Sequence, residues 1–164
     1  MILKFSGPQF LETAHARLLY KRFSLTDDLH FNTLYQFLVD IDAFIESSPK
    51  INLAHDGAFL YFFGDKAHEF WVGREITGFL PRSVKEFESF DSFRGEALSW
   101  DLMSENFEEW TLKDWKGQAH QLRSLAPEAL APTWRVKMSS LEPLGSESYS
   151  SALPQISFQF FKNH

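Results

Sequence analysis

The chain has 164 residues, of which 44% are apolar and 23% charged, and it contains no cysteine. Those values are ordinary for a globular domain, while 18 Phe, 5 Trp and 4 Tyr are too many for a disordered chain. The missing thiols exclude a disulfide framework, thiolate metal sites and a cysteine nucleophile, and the net charge of −6 argues against nucleic-acid binding.

In chain order, MILKF at the start has the composition of a strand. Ser6-Gly7-Pro8 then has the form of a helix start, and Phe10, Leu11, Ala14, Leu18 and Leu19 repeat at helical spacing. A second helix is expected from about Thr26. Phe31, Leu34, Leu38, Ile41 and Ile45 form its apolar stripe, and Pro49 ends it. Residues 58–63, AFLYFF, form the longest unbroken apolar run, which predicts a central strand covered on both faces. After a turn at Gly64-Asp65-Lys66, Glu69-Phe70-Trp71-Val72 returns as its antiparallel partner.

Ser83-Val84-Lys85-Glu86 has the form of a capping box, Gly95 is a plausible stop, and Phe87, Phe90 and Phe93 fall at a spacing of three. That pattern predicts a third helix. Residues 96–103 are undecided between strand and loop. Thr111 is a good N-cap for a fourth helix, with Trp110 and Trp115 at the two positions of a hydrophobic staple and Leu112, Ala119 and Leu122 continuing the stripe. Residues 134–138 and 156–160 alternate cleanly, so each predicts a strand with one dry and one wet face. Between them residues 139–154 are rich in Ser and Pro and predict a long, mobile loop. The fold class expected is α+β: one domain over residues 1–164, an antiparallel sheet of about five strands packed with about four helices, and no internal repeat.

Chemistry is sparse. The sequence has no glycine-rich phosphate loop, no Gly-x-Ser-x-Gly and no His-Glu-x-x-His. His55, Asp56, His68 and Glu69 flank the predicted hairpin turn, where histidines are ordinarily solvated, so neither a metal nor a cofactor is expected. The amphipathic stretches lack a basic face, and the N-terminus lacks a charged region followed by a sustained apolar one. A cytoplasmic protein without membrane contact is therefore expected.

The charge is unevenly placed. Between Val84 and Trp110 eight acids meet two bases, and the rest of the chain is neutral. Such local asymmetry steers association with an oppositely charged protein. The candidate partner-binding residues are Glu88, Asp91, Glu96, Asp101, Glu105, Phe107, Glu108, Glu109 and Trp110. Together they predict a small acidic inhibitor of a basic toxin or effector, in its most concrete form a bacterial immunity protein that blocks a nuclease. Two other classes fit the same composition. One is a chaperone or adaptor for a secreted partner, and the other an enzyme whose site is assembled from residues distant in sequence.

Overall fold

The computed structural model describes residues 5–13, 16–24, 31–64, 69–78, 87–91, 95–102, 112–126, 130–139 and 155–162. Their elements, in order, are β1 (Phe5–Thr13), β2 (Arg17–Ser24), α1 (Phe31–Ser47), β3 (Ile51–Phe63), β4 (Glu69–Gly78), β5 (Glu88–Asp91), β6 (Gly95–Leu102), α2 (Leu112–Ser124), β7 (Leu130–Ser139) and β8 (Gln155–Lys162). All eight strands join one antiparallel sheet in the order β1-β6-β8-β7-β3-β4-β2-β5.

This corrects the expected five strands and four helices. Phe5–Thr13 and Arg17–Ser24, expected as helix beyond the first five residues, are strands. Glu88–Asp91 falls inside the expected third helix and is strand β5, paired with β2. The physical reason is visible at Leu18 and Leu19. Both are fully buried, Leu18 in one cluster and Leu19 in another, because β2 is covered on both faces. A strand buried on both sides loses its polar alternation, and its apolar residues then fit a helical period by chance. The undecided residues 96–102 are strand β6.

Elsewhere the periodicities hold. α1 buries Leu38, Ile41 and Ile45, and α2 buries Trp115, Ala119 and Leu122 at the i, i+4, i+7 spacing of one helix face. Both helices lie on the same side of the sheet. Leu38 of α1 and the α2 stripe share one core with Leu60, Phe62, Phe70, Val72, Trp134 and Phe158, while Ile41 and Ile45 pack with Leu19 and Ile76 nearby. Within that layer Arg74 of β4 donates from Nε and Nη2 to both carboxylate oxygens of Asp42 on α1, at 2.7 and 2.8 Å. Of the three residues expected in the core next to the acidic segment, Phe87 and Trp115 are buried, and the side chain of Phe90 lies outside what the structure describes. The expected mobile loop lies, from residue 140 on, outside the described residues.

The topology contains a duplication that the sequence does not display. β1-β2-α1-β3-β4 and β5-β6-α2-β7-β8 have the same element order, and each half lays three of its strands in the same spatial order: β2-β4-β3 in one, β6-β8-β7 in the other. The halves meet where β3 pairs with β7. Each half also lends its first strand to the other, β1 pairing with β6 and β5 with β2.

Candidate functional site

In a two-layer antiparallel domain the face without helices is commonly solvated. Here its centre is buried. Alternation along β3 sends Leu60 and Phe62 to the helix layer and Phe59 and Tyr61 to the opposite face, where both are almost completely inaccessible. The same rule sends Arg135 of β7 and Gln159 of β8 to that face, since their neighbours Trp134, Val136, Phe158 and Phe160 belong to the helix-side core. Arg135 is 6% exposed and Gln159 3%.

Strand register lines these residues up. Arg22 pairs with Trp71, Trp71 with Tyr61, Tyr61 with Arg135, Arg135 with Gln159, and Gln159 with Ser99, a continuous rung across six strands. Its midpoint, Tyr61 opposite Arg135, lies on the junction of the two halves.

Arg135 organises the centre. Its Nε donates to Gln159 Oε1 at 2.6 Å, and its Nη1 donates to the Tyr61 hydroxyl at 2.7 Å and, at 3.4 Å, to Glu75 Oε1. The guanidinium carbon stands 4.4 Å from the Phe59 ring centroid, 5.4 Å from Phe161 and 5.7 Å from Tyr61, within cation–π range of all three. No hydrogen-bond partner for Nη2 occurs among the described residues. Burial pushes the Tyr61 hydroxyl above its usual range. The Arg135 charge and hydrogen bond pull it down by less, and Glu75 adds a smaller upward push. Tyr61 is therefore a neutral hydroxyl at ordinary pH.

Towards β2 the face becomes an aromatic wall. Tyr20 stacks on Trp71 at 4.1 Å with the rings 12° from parallel, and Phe63 lies 4.4 Å from Trp71. Arg22 covers the outer side of Trp71 at 5.3 Å and donates from Nη2 to Glu88 at 2.7 Å, as does the Tyr20 hydroxyl at 3.0 Å. Between Tyr20 and Phe59 the register position belongs to Gly73. A Cβ there would stand 2.2 Å from the Leu19 carbonyl oxygen, so glycine permits the close approach of β2 to β4. It also leaves no side chain between the two rings.

The residues singled out by charge fall elsewhere. Glu88 and Asp91 are on β5 at one edge of the sheet, and Glu96 and Asp101 are on β6 near the other, six strands apart. At about 4.8 Å per strand that is on the order of 30 Å. Glu88 is bound to Arg22 and Tyr20, Glu96 to Lys162 at 2.6 Å, and Asp101 accepts from Ser157 at 2.6 Å. Glu105, Phe107, Glu108, Glu109 and Trp110 lie outside the described residues. Of the suspected metal cluster, His55 and Asp56 fall on β3, His68 lies outside the described residues, and Glu69 accepts from the Trp71 indole. Among the described residues no three His, Asp or Glu side chains converge as metal ligands, and no helix is long and apolar enough to cross a membrane.

Sequence reasoning passed over Arg135, Gln159, Tyr61 and Glu75. Their faces were legible: the alternation over 134–138 and 156–160 separates Arg135 and Gln159 from the dry side. That this second side is buried as well was not legible, because it depends on strands brought together from across the chain.

No family model and no curated protein matches the chain. Among solved structures it is similar to one described as the crystal structure of EcmrR C-terminal domain, with 13% sequence identity and a TM-score of 0.66, over 98% of this chain and 97% of that one. At that identity the likeness concerns the fold.

Proposed function

We propose that this domain binds a small organic ligand, one with a flat apolar body and a polar group, on the helix-free face of its sheet. The observation that carries this reading is the buried cluster of Arg135, Tyr61, Glu75 and Gln159 set among aromatic rings at the junction of the halves. Small-molecule sites combine mostly aromatic lining with a few fixed polar groups, and they favour the seams between structural units. A charged cluster is also a costly way to fill a core, since apolar side chains of similar volume serve stability as well or better. The cluster holds no nucleophile placed against a base, and Tyr61 is kept protonated, so binding is supported over catalysis. With no cysteine in the chain, we assign the domain to the cytoplasm.

The test is a thermal-shift screen against small aromatic compounds, followed by Trp fluorescence titration of hits in wild type and Trp71→Phe. A ligand at one hundred times its Kd raises stability by about 2.7 kcal/mol, a shift of several degrees. We expect hits whose fluorescence response depends on Trp71. A screen in which no compound moves the transition overturns the reading.

The acidic-inhibitor reading has weaker support, because Glu88, Glu96 and Asp101 are engaged within the chain and divided between distant strands. Its remaining support is the charge of Glu105, Glu108 and Glu109. Reversing those three should slow association with a basic partner at low salt and leave the melting temperature nearly unchanged. Equal association rates at low and high salt would remove that support.

A further inference from the structure

We propose that the ligand's polar group is an anion, a carboxylate or a group of like shape and charge, and that Arg135 is its anchor. This rests on the small-molecule-binding reading above and adds the chemical class.

The argument starts from charge. Among the described residues of the four central strands, the charged side chains of this face are Arg135 and Glu75, both buried, Lys137, next to Phe59 in the register, and Glu69 at the start of β4, whose ion-pair partner is Arg22 at 3.6 Å. With Glu69 engaged by Arg22, the centre of the face sets two bases against one acid. Glu75 compensates Arg135 only through the longest of its hydrogen bonds, 3.4 Å, while its two short ones go to the neutral Gln159 amide and Tyr61 hydroxyl. These neutral contacts fix the plane of the guanidinium through Nε and Nη1. They leave the two N–H donors of Nη2 without a partner among the described residues. A guanidinium that is 6% exposed, clamped on one edge and open at Nη2, is preorganised for a carboxylate, because little rotamer freedom remains to be lost on binding.

The rings beside this anchor offer apolar contact to the flat part of a ligand. Arg135 stands over Phe59, and the next position in that rung is Gly73, which contributes no side chain before Tyr20. A ligand that packs its flat part against these rings has Nη2 of Arg135 as the donor for its carboxylate. A cation in the same position would face an Arg and a Lys against one Glu.

The experiment uses three ligands of one shape and different charge: 2-naphthoate, 2-naphthamide and 2-naphthylmethylammonium, titrated calorimetrically into the whole chain. We expect 2-naphthoate to bind at least tenfold tighter than either of the others. Arg135→Gln should erase that preference, and Arg135→Lys should retain part of it, with folding checked by circular dichroism. Should Arg135→Gln fail to fold, Glu75→Gln serves instead: removal of the competing carboxylate should tighten 2-naphthoate binding several-fold and leave 2-naphthamide unchanged. Tightest binding of the ammonium compound, or a preference for 2-naphthoate that survives Arg135→Gln in a folded variant, overturns the anionic class while the binding reading stands. Binding of none of the three at millimolar concentration, together with a blank thermal-shift screen, overturns both.

Discussion

Two buried arginines in this protein do different work. Arg74 faces the helix layer and is fully engaged by both oxygens of Asp42. Asp42→Ala leaves that guanidinium buried without its carboxylate and should cost about 3–5 kcal/mol, read from urea unfolding midpoints at unchanged slope. The double replacement Asp42→Leu with Arg74→Met should recover most of that loss, because the pair as a whole adds little over apolar packing. Arg135 faces the other way and has one carboxylate at the limit of hydrogen-bond length. Beside it, the raised pKa of Tyr61 has a consequence for pH. A group whose pKa is higher in the folded than in the unfolded state stabilises the fold below the unfolded value and loses that contribution as pH rises through the folded one. Tyr61 starts from 10.0, so wild type should lose stability above about pH 10 more steeply than Tyr61→Phe. Chemical denaturation at pH 8 and pH 11 measures it, and parallel losses in the two proteins would contradict the shift.

Among the elements, the ones set by local pattern form where they were expected. The stripes of α1 and α2 need only a helix and one apolar neighbour, and the clean alternation of 134–138 and 156–160 needs only a sheet. β1, β2 and β5 did not follow their local pattern. A capping-box sequence and apolar residues at spacings of three and four favour a helix, yet β2 is held as a strand by β4 on one side and β5 on the other. Helix propensities of a few tenths of a kcal/mol per residue are outweighed by a full ladder to β4, a second ladder to β5 over Arg17–Tyr20, and the burial of Leu18, Leu19 and Tyr20. The β2–β4 ladder has one sensitive point. Gly73→Ala places a methyl against the Leu19 carbonyl and should cost about 1–3 kcal/mol by forcing the strands apart, whereas Gly117→Ala, in open space on α2, should be neutral or slightly stabilising. Thermal melts of the two variants give the comparison directly, and equal shifts would mean that the close approach at Gly73 is not maintained in solution.

The whole molecule is one sheet made of two similar halves that exchange their first strands. Such an exchange ties the halves together. A fragment ending after β4 keeps β1 but loses its partner β6, and it exposes the edge of β3 at Ala58–Phe63 that β7 covers. Neither that fragment nor the complementary one from β5 to β8 should then melt cooperatively by itself, while the intact chain should unfold in one step, with circular dichroism and Trp fluorescence following coincident transitions. Separate transitions for the two probes would show that the halves are independent units. The same architecture accounts for the position of the candidate site. The junction of the halves is the one place where β3 and β7 bring Tyr61 and Arg135, 74 residues apart in sequence, into register.

What the sequence determined by itself is what depends on near neighbours. It determined the two long helical stripes, the central apolar strand at 58–63, the alternating strands near the end, the absence of thiol chemistry, and the lopsided charge between Val84 and Trp110. Only the tertiary structure decided the identity of β1, β2 and β5, the duplicated topology, the separation of Glu88 from Glu96 and Asp101, and the burial of Arg135, Tyr61, Glu75 and Gln159. The reason is one of range. Periodicity records which side of an element a residue takes, since that is fixed by backbone geometry over a few residues. Whether that side meets water, a helix or a ligand depends on which distant strands close around it, and no local pattern encodes that choice.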